Sequence, residues 1–186
     1  MEHRLIVESS GPVLGLWDLC SPSHKPGRYD QSWETAWEFE RDPPGAASWK
    51  PSDMDAALER FAQYWNHRQA RGELLAWQPG SGVYCVEVRV LPRVPGRAFT
   101  KAQQAAFLTG AGGEKVLHCP SGELTVACLK SLGQERSGPI IKVLAGEYRA
   151  GMDISKEQLT KPRPFRTSSE YPVSYSPDFT IYLQEK

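Results

Sequence analysis

The chain has no surplus of either charge: 22 lysines and arginines are matched by 22 aspartates and glutamates over 186 residues. It therefore lacks the global basic field that draws a protein to nucleic acid. No apolar run reaches membrane-spanning length, and the stretch from Met1 to Glu8 contains no apolar signal core. Those absences predict a cytoplasmic protein with no membrane partner. Cysteine is sparse, at Cys20, Cys85, Cys119 and Cys128, and no two form a Cys-x-x-Cys pair. This excludes a zinc ribbon and a thioredoxin-type redox motif, leaving small buried thiols in a reducing compartment as the expectation.

Catalytic signatures are missing too. The chain has no Gly-x-Ser-x-Gly elbow, and Gly110 to Gly113 lacks the strand and lysine of a phosphate-binding loop. His3, His24, His67 and His118 show no metal-ligand spacing, and no acidic cluster resembles a calcium loop. His118 adjoins Cys119, but neighbours along a strand point to opposite faces, so the two do not share a small site. The sequence thus predicts no catalytic residue, no metal and no cofactor. A hydrolase built on His118 or Cys85 is the least supported reading.

What the chain does have is punctuation. Its 15 prolines and 16 glycines fall between short apolar runs, which suits a β-rich fold with many loops. The punctuation also repeats. Leu5 to Asp18 and Val116 to Leu129 each run an apolar lead-in, a Ser-Gly turn and an alternating strand. Aligned on Ser10-Gly11 and Ser121-Gly122, Val13, Gly15 and Trp17 match Leu124, Val126 and Cys128. A second piece follows each copy, Gly82-Val83-Tyr84 in one and Gly146-Glu147-Tyr148 in the other. Strand, turn, strand and a later Gly-x-Tyr strand, written twice, predict two related antiparallel units packed sandwich-like. The fold class is β-rich α+β, a single compact domain over 1–186 with units at about 1–110 and 115–186. The segment around Ser9 to Pro12 reads as a hairpin turn.

One helix is expected, from Ser52 to Arg71-Gly72. Ser52 suits the N-cap, Asp53 and Asp55 suit the first turn, and Gly72 suits a left-handed cap. Met54, Leu58, Phe61 and Trp65 make its apolar stripe, while Glu59, Arg60, Gln63, Asn66 and Arg68 take the other sides. A shorter helix is expected at Thr100 to Leu108. In the strands, Tyr84, Val86, Val88 and Val90 share one face, and Phe179, Ile181 and Leu183 share another.

Composition departs from routine in one place. From Tyr29 to Glu59 eight acids stand against two bases, with Tyr29, Trp33, Trp37, Phe39 and Trp49 among them. From Arg60 to Glu114 the balance reverses, with seven bases against three acids. Aromatics interleaved with carboxylates suit docking on a basic protein, rings supplying anchor area and acids steering encounter. The candidate partner-binding residues are Asp30, Trp33, Glu34, Trp37, Glu38, Glu40 and Trp49. Core packing beneath a loop is the competing use of the same rings. The tail bases Lys156, Lys161, Arg163 and Arg166, broken by prolines, read as a solvated loop rather than a single-strand binding surface.

The Ser-Gly-x-Leu-x-Val pattern followed by the Gly-x-Tyr strand resembles motif pairs of small bacterial proteins related to toxin immunity proteins. The Gly146 to Met152 strand is also similar to that of the competence-associated nuclease-inhibitor family. The resemblance covers about 40 residues, mostly turn chemistry, and carries over no site residue. It implies a non-catalytic bacterial inhibitor that neutralises a toxin by one-to-one binding. A small-ligand-binding or scaffold domain is the alternative.

Overall fold

The computed structural model describes residues 1–9, 13–20, 65–80, 82–92, 115–129, 138–155 and 176–186, with Ala56, Glu59 and Gln63 singly. Nine strands build two sheets. They are β1 (Glu2–Ser9), β2 (Leu14–Asp18), β3 (Leu74–Trp77), β4 (Gly82–Leu91), β5 (Lys115–Cys119), β6 (Glu123–Cys128), β7 (Ile140–Lys142), β8 (Gly146–Ile154) and β9 (Phe179–Glu185). One sheet runs β1-β4-β9-β8-β5 and the other β3-β2-β6-β7. All pairs are antiparallel except β4–β9. The β-rich class with a helix on one sheet is therefore observed.

The inward residues are the alternating apolar ones. Val86 and Val88 of β4, Met152 and Ala150 of β8, and Ile181 and Leu183 of β9 meet Leu14, Leu16, Leu124, Val126 and Ile141 of the other sheet. Each fully buried aliphatic side chain contributes roughly 1.5–3 kcal/mol. Two expectations are corrected here. β1 and β2 do not form a hairpin: they lie in different sheets, as do β5 and β6. The segment after β5 is a corner that carries the chain between layers, with Gly122 at φ +75°. Second, the Ser-Gly alignment is one residue out. Leu14 and Leu16 face the inter-sheet core with Leu124 and Val126, whereas Val13 and Trp17 belong to the opposite face. A one-residue slip exchanges the faces of a strand, because side chains alternate.

With that shift several strand pairings recur at fixed steps along the chain. Leu16 and Val126, 110 positions apart, oppose each other across the β2–β6 pair. The same step takes Val7, opposite Tyr84, to Leu117, opposite Tyr148. A step of 64 takes Trp77, opposite Leu14, to Ile141, opposite Leu124, and also takes Tyr84 to Tyr148. β9 lies on the axis, with Ile181 opposite both Val88 and Met152. The strand orders of both sheets are thus symmetric about their centres.

The paired tyrosines do the same work. Tyr84 Oη donates to the Gly80 carbonyl at 3.2 Å and to that of Pro79 at 2.9 Å, and Tyr148 Oη donates to that of Leu144 at 2.6 Å. Each hydroxyl ties its strand to the turn four residues upstream, and burial raises both phenol pKa values. Replacing either tyrosine by phenylalanine deletes one tie while keeping the ring. We expect a loss of about 0.5–1.5 kcal/mol in each case. Urea melts of Tyr84→Phe and Tyr148→Phe should therefore agree closely; a large cost at one site and none at the other would break the equivalence.

The expected helix has its described end at residues 65–70. It closes as foreseen at Gly72, φ +70°, with Gly72 N–H donating to Gln69 O and Glu73 N–H to Arg68 O. This is the double bond pattern of a glycine cap. Arg68 corrects the polar-side assignment. It is 7% exposed and its Nη1 meets Glu73 Oε2 at 2.9 Å. An ion pair with a residue beyond the cap lets the guanidinium lie along the sheet instead of pointing to water. The stripe residues Met54, Leu58 and Phe61, the helix expected at Thr100 to Leu108, and the tail bases all lie outside the described residues.

Candidate functional site

The change of step from 110 to 64 locates an insertion. In the first half of the chain the connection between β2 and β3 runs from Asp18 to Leu74; its counterpart between β6 and β7 runs only from Cys128 to Ile140. Relative to the short connection, the long one carries the extra residues as an insertion between β2 and β3. Asp30, Trp33, Glu34, Trp37, Glu38, Glu40 and Trp49 all fall inside this connection. All seven lie outside the described residues.

The returning end of the insertion is clamped onto the outer face of the four-stranded sheet. Trp65, 1% exposed, packs with Val13, Trp17, Leu74, Ala76, Ala127 and Leu129. Gly15 lies on that face, where a Cβ would come within 2.6 Å of the Leu129 side chain. Gln69 Oε1 accepts the Ala76 N–H at 3.1 Å, so the helix also covers an outward backbone donor of edge strand β3. Arg71 joins Arg68 on the Glu73 carboxylate. Gly72 O accepts the His118 N–H at 2.8 Å, and a Cβ on Gly72 would strike the His118 ring.

The chemically capable groups are dispersed. Cys85 and His118 stand on β4 and β5, with β9 and β8 between those strands. His118 is a surface group 3.2 Å from Glu147, and Cys119 beside it is fully buried, on the opposite face as the alternation requires. Burial pushes the Cys85 thiol up, against the Arg4 Nε that donates to its sulfur at 3.2 Å. Burial and the Asp18 carboxylate push Cys119 up to about 12. These thiols are protonated at neutral pH and suited to packing rather than attack. Asp18 was overlooked in the sequence. It is fully buried and accepts from Cys20 N–H, Ser121 N–H and Ser121 Oγ at 2.8–2.9 Å. It ties the end of β2 to the corner before β6, and an acid closing an apolar strand just before a turn was the available signal. Among the described residues no three His, Cys, Asp or Glu side chains gather at metal-ligating distance.

An apolar groove, also unforeseen, opens beside β7. Its volume is about 500 Å³ and it is lined chiefly by Met1, Val90, Leu91, Pro92, Leu144 and Tyr148, with Lys142, Glu185 and the Met1 ammonium as its charged groups. Leu144 and Ile140 are 69% and 50% exposed there.

No family model matches this chain, and no curated protein does. Solved structures do. One titled "Crocagin biosynthetic gene J" aligns with a TM-score of 0.58 and 16% identity over 100% of this chain and 99% of that one. At that identity it shares the fold. ComJ from Bacillus subtilis, described as an inhibitor of the DNA degrading activity of NucA, aligns with a TM-score of 0.42 and 9% identity. Coverage there is 100% of this chain and 96% of that one, and the likeness is too distant to support more. No helix among the described residues is long and apolar enough to cross a membrane.

Proposed function

We propose that the chain is one body of two related units, about 1–110 and 115–186, which acts as a bacterial immunity-type inhibitor. It binds a toxic enzyme with a basic surface through the inserted segment and performs no chemistry itself. The observation that carries this reading is the insertion. A duplicated scaffold needs no β2–β3 connection of that length, and the addition holds the acidic aromatic run. Loops added to a rigid frame are where recognition residues concentrate. The low reactivity of the buried thiols and the separation of Cys85 from His118 favour binding over catalysis. The ligand-binding alternative is less well served, because the groove beside β7 is open rather than enclosed.

The test is neutralisation of the toxic enzyme encoded beside this chain. The purified protein should abolish its activity at one-to-one stoichiometry. Alanine at Trp33, Trp37 or Trp49 should raise Kd by about 30-fold or more at the anchoring position, as aromatic hot spots do. Lysine at Glu34 and Glu38 together should slow association and blunt its salt dependence, leaving dissociation nearly unchanged. Full activity of that enzyme in excess protein, or wild-type Kd for all three tryptophan variants, would end the proposal.

A further inference from the structure

Both ends of the long β2–β3 connection are fastened to the same few residues. At its departure stands Asp18, fully buried, whose Oδ1 accepts the Cys20 N–H at 2.8 Å. The other oxygen accepts Ser121 N–H and Ser121 Oγ, each at 2.9 Å, and the Cys119 thiol donates to the same carboxylate. Leu19 N–H donates to Glu123 O at 2.9 Å. At its return, Gly72 O accepts the His118 N–H at 2.8 Å, on the edge strand β5. A Cβ on Gly72 would strike the His118 ring and lie 3.3 Å from Val116 O, so only a glycine lets the helix cap close onto that strand. Cys20 and Gly72, far apart in the chain, thus both hang from the corner between His118 and Ser121.

We infer that this corner is the common seat of the inserted segment, and that buried Asp18 is a positioning residue for partner recognition. The seat follows from the hydrogen bonds alone; its role in recognition rests on the inhibitor reading. Asp18 is closed to solvent and cannot touch a partner. It acts by fixing where the segment leaves the body relative to where it returns. Holding both ends on one short stretch removes their relative motion before a partner arrives, so less ordering is left to oppose binding. The corner is itself held from behind. Gly122 turns it at φ +75°, where a Cβ would come within 2.8 Å of Val143 O. His118 Nδ1 lies 3.2 Å from the Glu147 carboxylate, which Lys186 reaches at 3.5 Å. The chemistry also explains why an acid stands at position 18. Cys20 N–H, Ser121 N–H, the Ser121 hydroxyl and the Cys119 thiol all donate to it, and a carboxylate offers acceptors alone. An amide of the same shape must turn its NH2 group onto one of those donors.

Native-state hydrogen exchange of the protein alone tests the seat without any partner. Asp18→Asn is compared with wild type in enough urea to match its global stability. The variant should exchange about tenfold faster or more at Cys20 and Ser121, and also at His118, Gly72 and Glu73, which Asp18 does not touch. Val86, Val88 and Ile181 in the central strands should keep wild-type rates. Ser121→Ala removes only an exposed hydroxyl, so it should fold and show a weaker form of the same pattern. It replaces Asp18→Asn if that variant does not fold. Binding to the enzyme encoded beside this chain is the second readout. Asp18→Asn should raise Kd by about tenfold or more, well beyond the change for wild type in the matching urea. Faster exchange confined to Cys20 and Ser121 would mean that the two ends are held separately, and overturns the seat. Unchanged Kd in a variant whose two ends both exchange faster overturns the positioning role. If wild type binds no such enzyme, the inhibitor reading falls and the positioning role with it, while the exchange pattern still decides the seat.

Discussion

Stability should fall steeply from about pH 9 towards pH 12, with Cys119 the largest single cause. Its thiol lies in the core against the Asp18 carboxylate, to which it donates a hydrogen bond, and holds its proton to about 12 where an unburied thiol releases near 9.0. Between those values the unfolded chain binds fewer protons than the folded one, so raising the pH favours unfolding. At about 1.4 kcal/mol per pH unit, the loss is on the order of 3 kcal/mol by pH 11. Tyr84, Tyr148, Tyr182 and Cys85 are shifted in the same direction, chiefly by burial, and add to the slope. Denaturant midpoints for wild type and Cys119→Ala from pH 8 to 11.5 separate the contributions. The variant should start slightly less stable and lose less with rising pH. Parallel curves would show that the thiol titrates normally in the folded chain.

Trp65→Ala should destabilise the protein by about 3–5 kcal/mol. The indole is buried between the helix and the outer face of the four-stranded sheet, among Val13, Trp17, Leu74, Ala76, Ala127 and Leu129. Four of the six described neighbours, Trp17, Leu74, Ala76 and Ala127, are fixed in strands and cannot readily refill that volume. Exposed Asn66→Ala, one position along, should stay within about 0.5 kcal/mol. Urea unfolding followed by circular dichroism compares them. The second reading is functional: Trp65 holds down the returning end of the insertion, so the variant should also lose affinity for the partner. A stable Trp65→Ala protein would mean that the helix does not depend on this sheet face.

The strands were legible because their signal is local. Val86 and Val88 alternate with Cys85 and Glu87, and that period alone places the valines in the core. Gly72 was legible for a similar reason, since only a glycine accommodates a left-handed cap cheaply. Arg68 was misplaced by the same kind of reasoning. Helical periodicity says which side chains share a face; the position of Glu73 beyond the cap decided that this guanidinium would be buried. The candidate docking residues Asp30 to Trp49 stand as a compositional argument, joined now to their place in the long connection between β2 and β3.

By itself the sequence determined the strand content, the inward residues of β4 and β9 and the glycine cap, since each depends on neighbours a few positions apart. Three things were decided only in the tertiary structure. β1 and β2, like β5 and β6, came to lie in different sheets rather than in hairpins, because burying both apolar faces requires two layers. The register of the repeat moved by one residue, since Leu14 and Leu16 rather than Val13 and Trp17 had to meet Leu124 and Val126 across the core. The groove beside β7 arises from segments far apart in the chain, Val90 and Pro92 beside Leu144 and Glu185. No local pattern encodes that meeting, because it exists only once the two sheets have packed together.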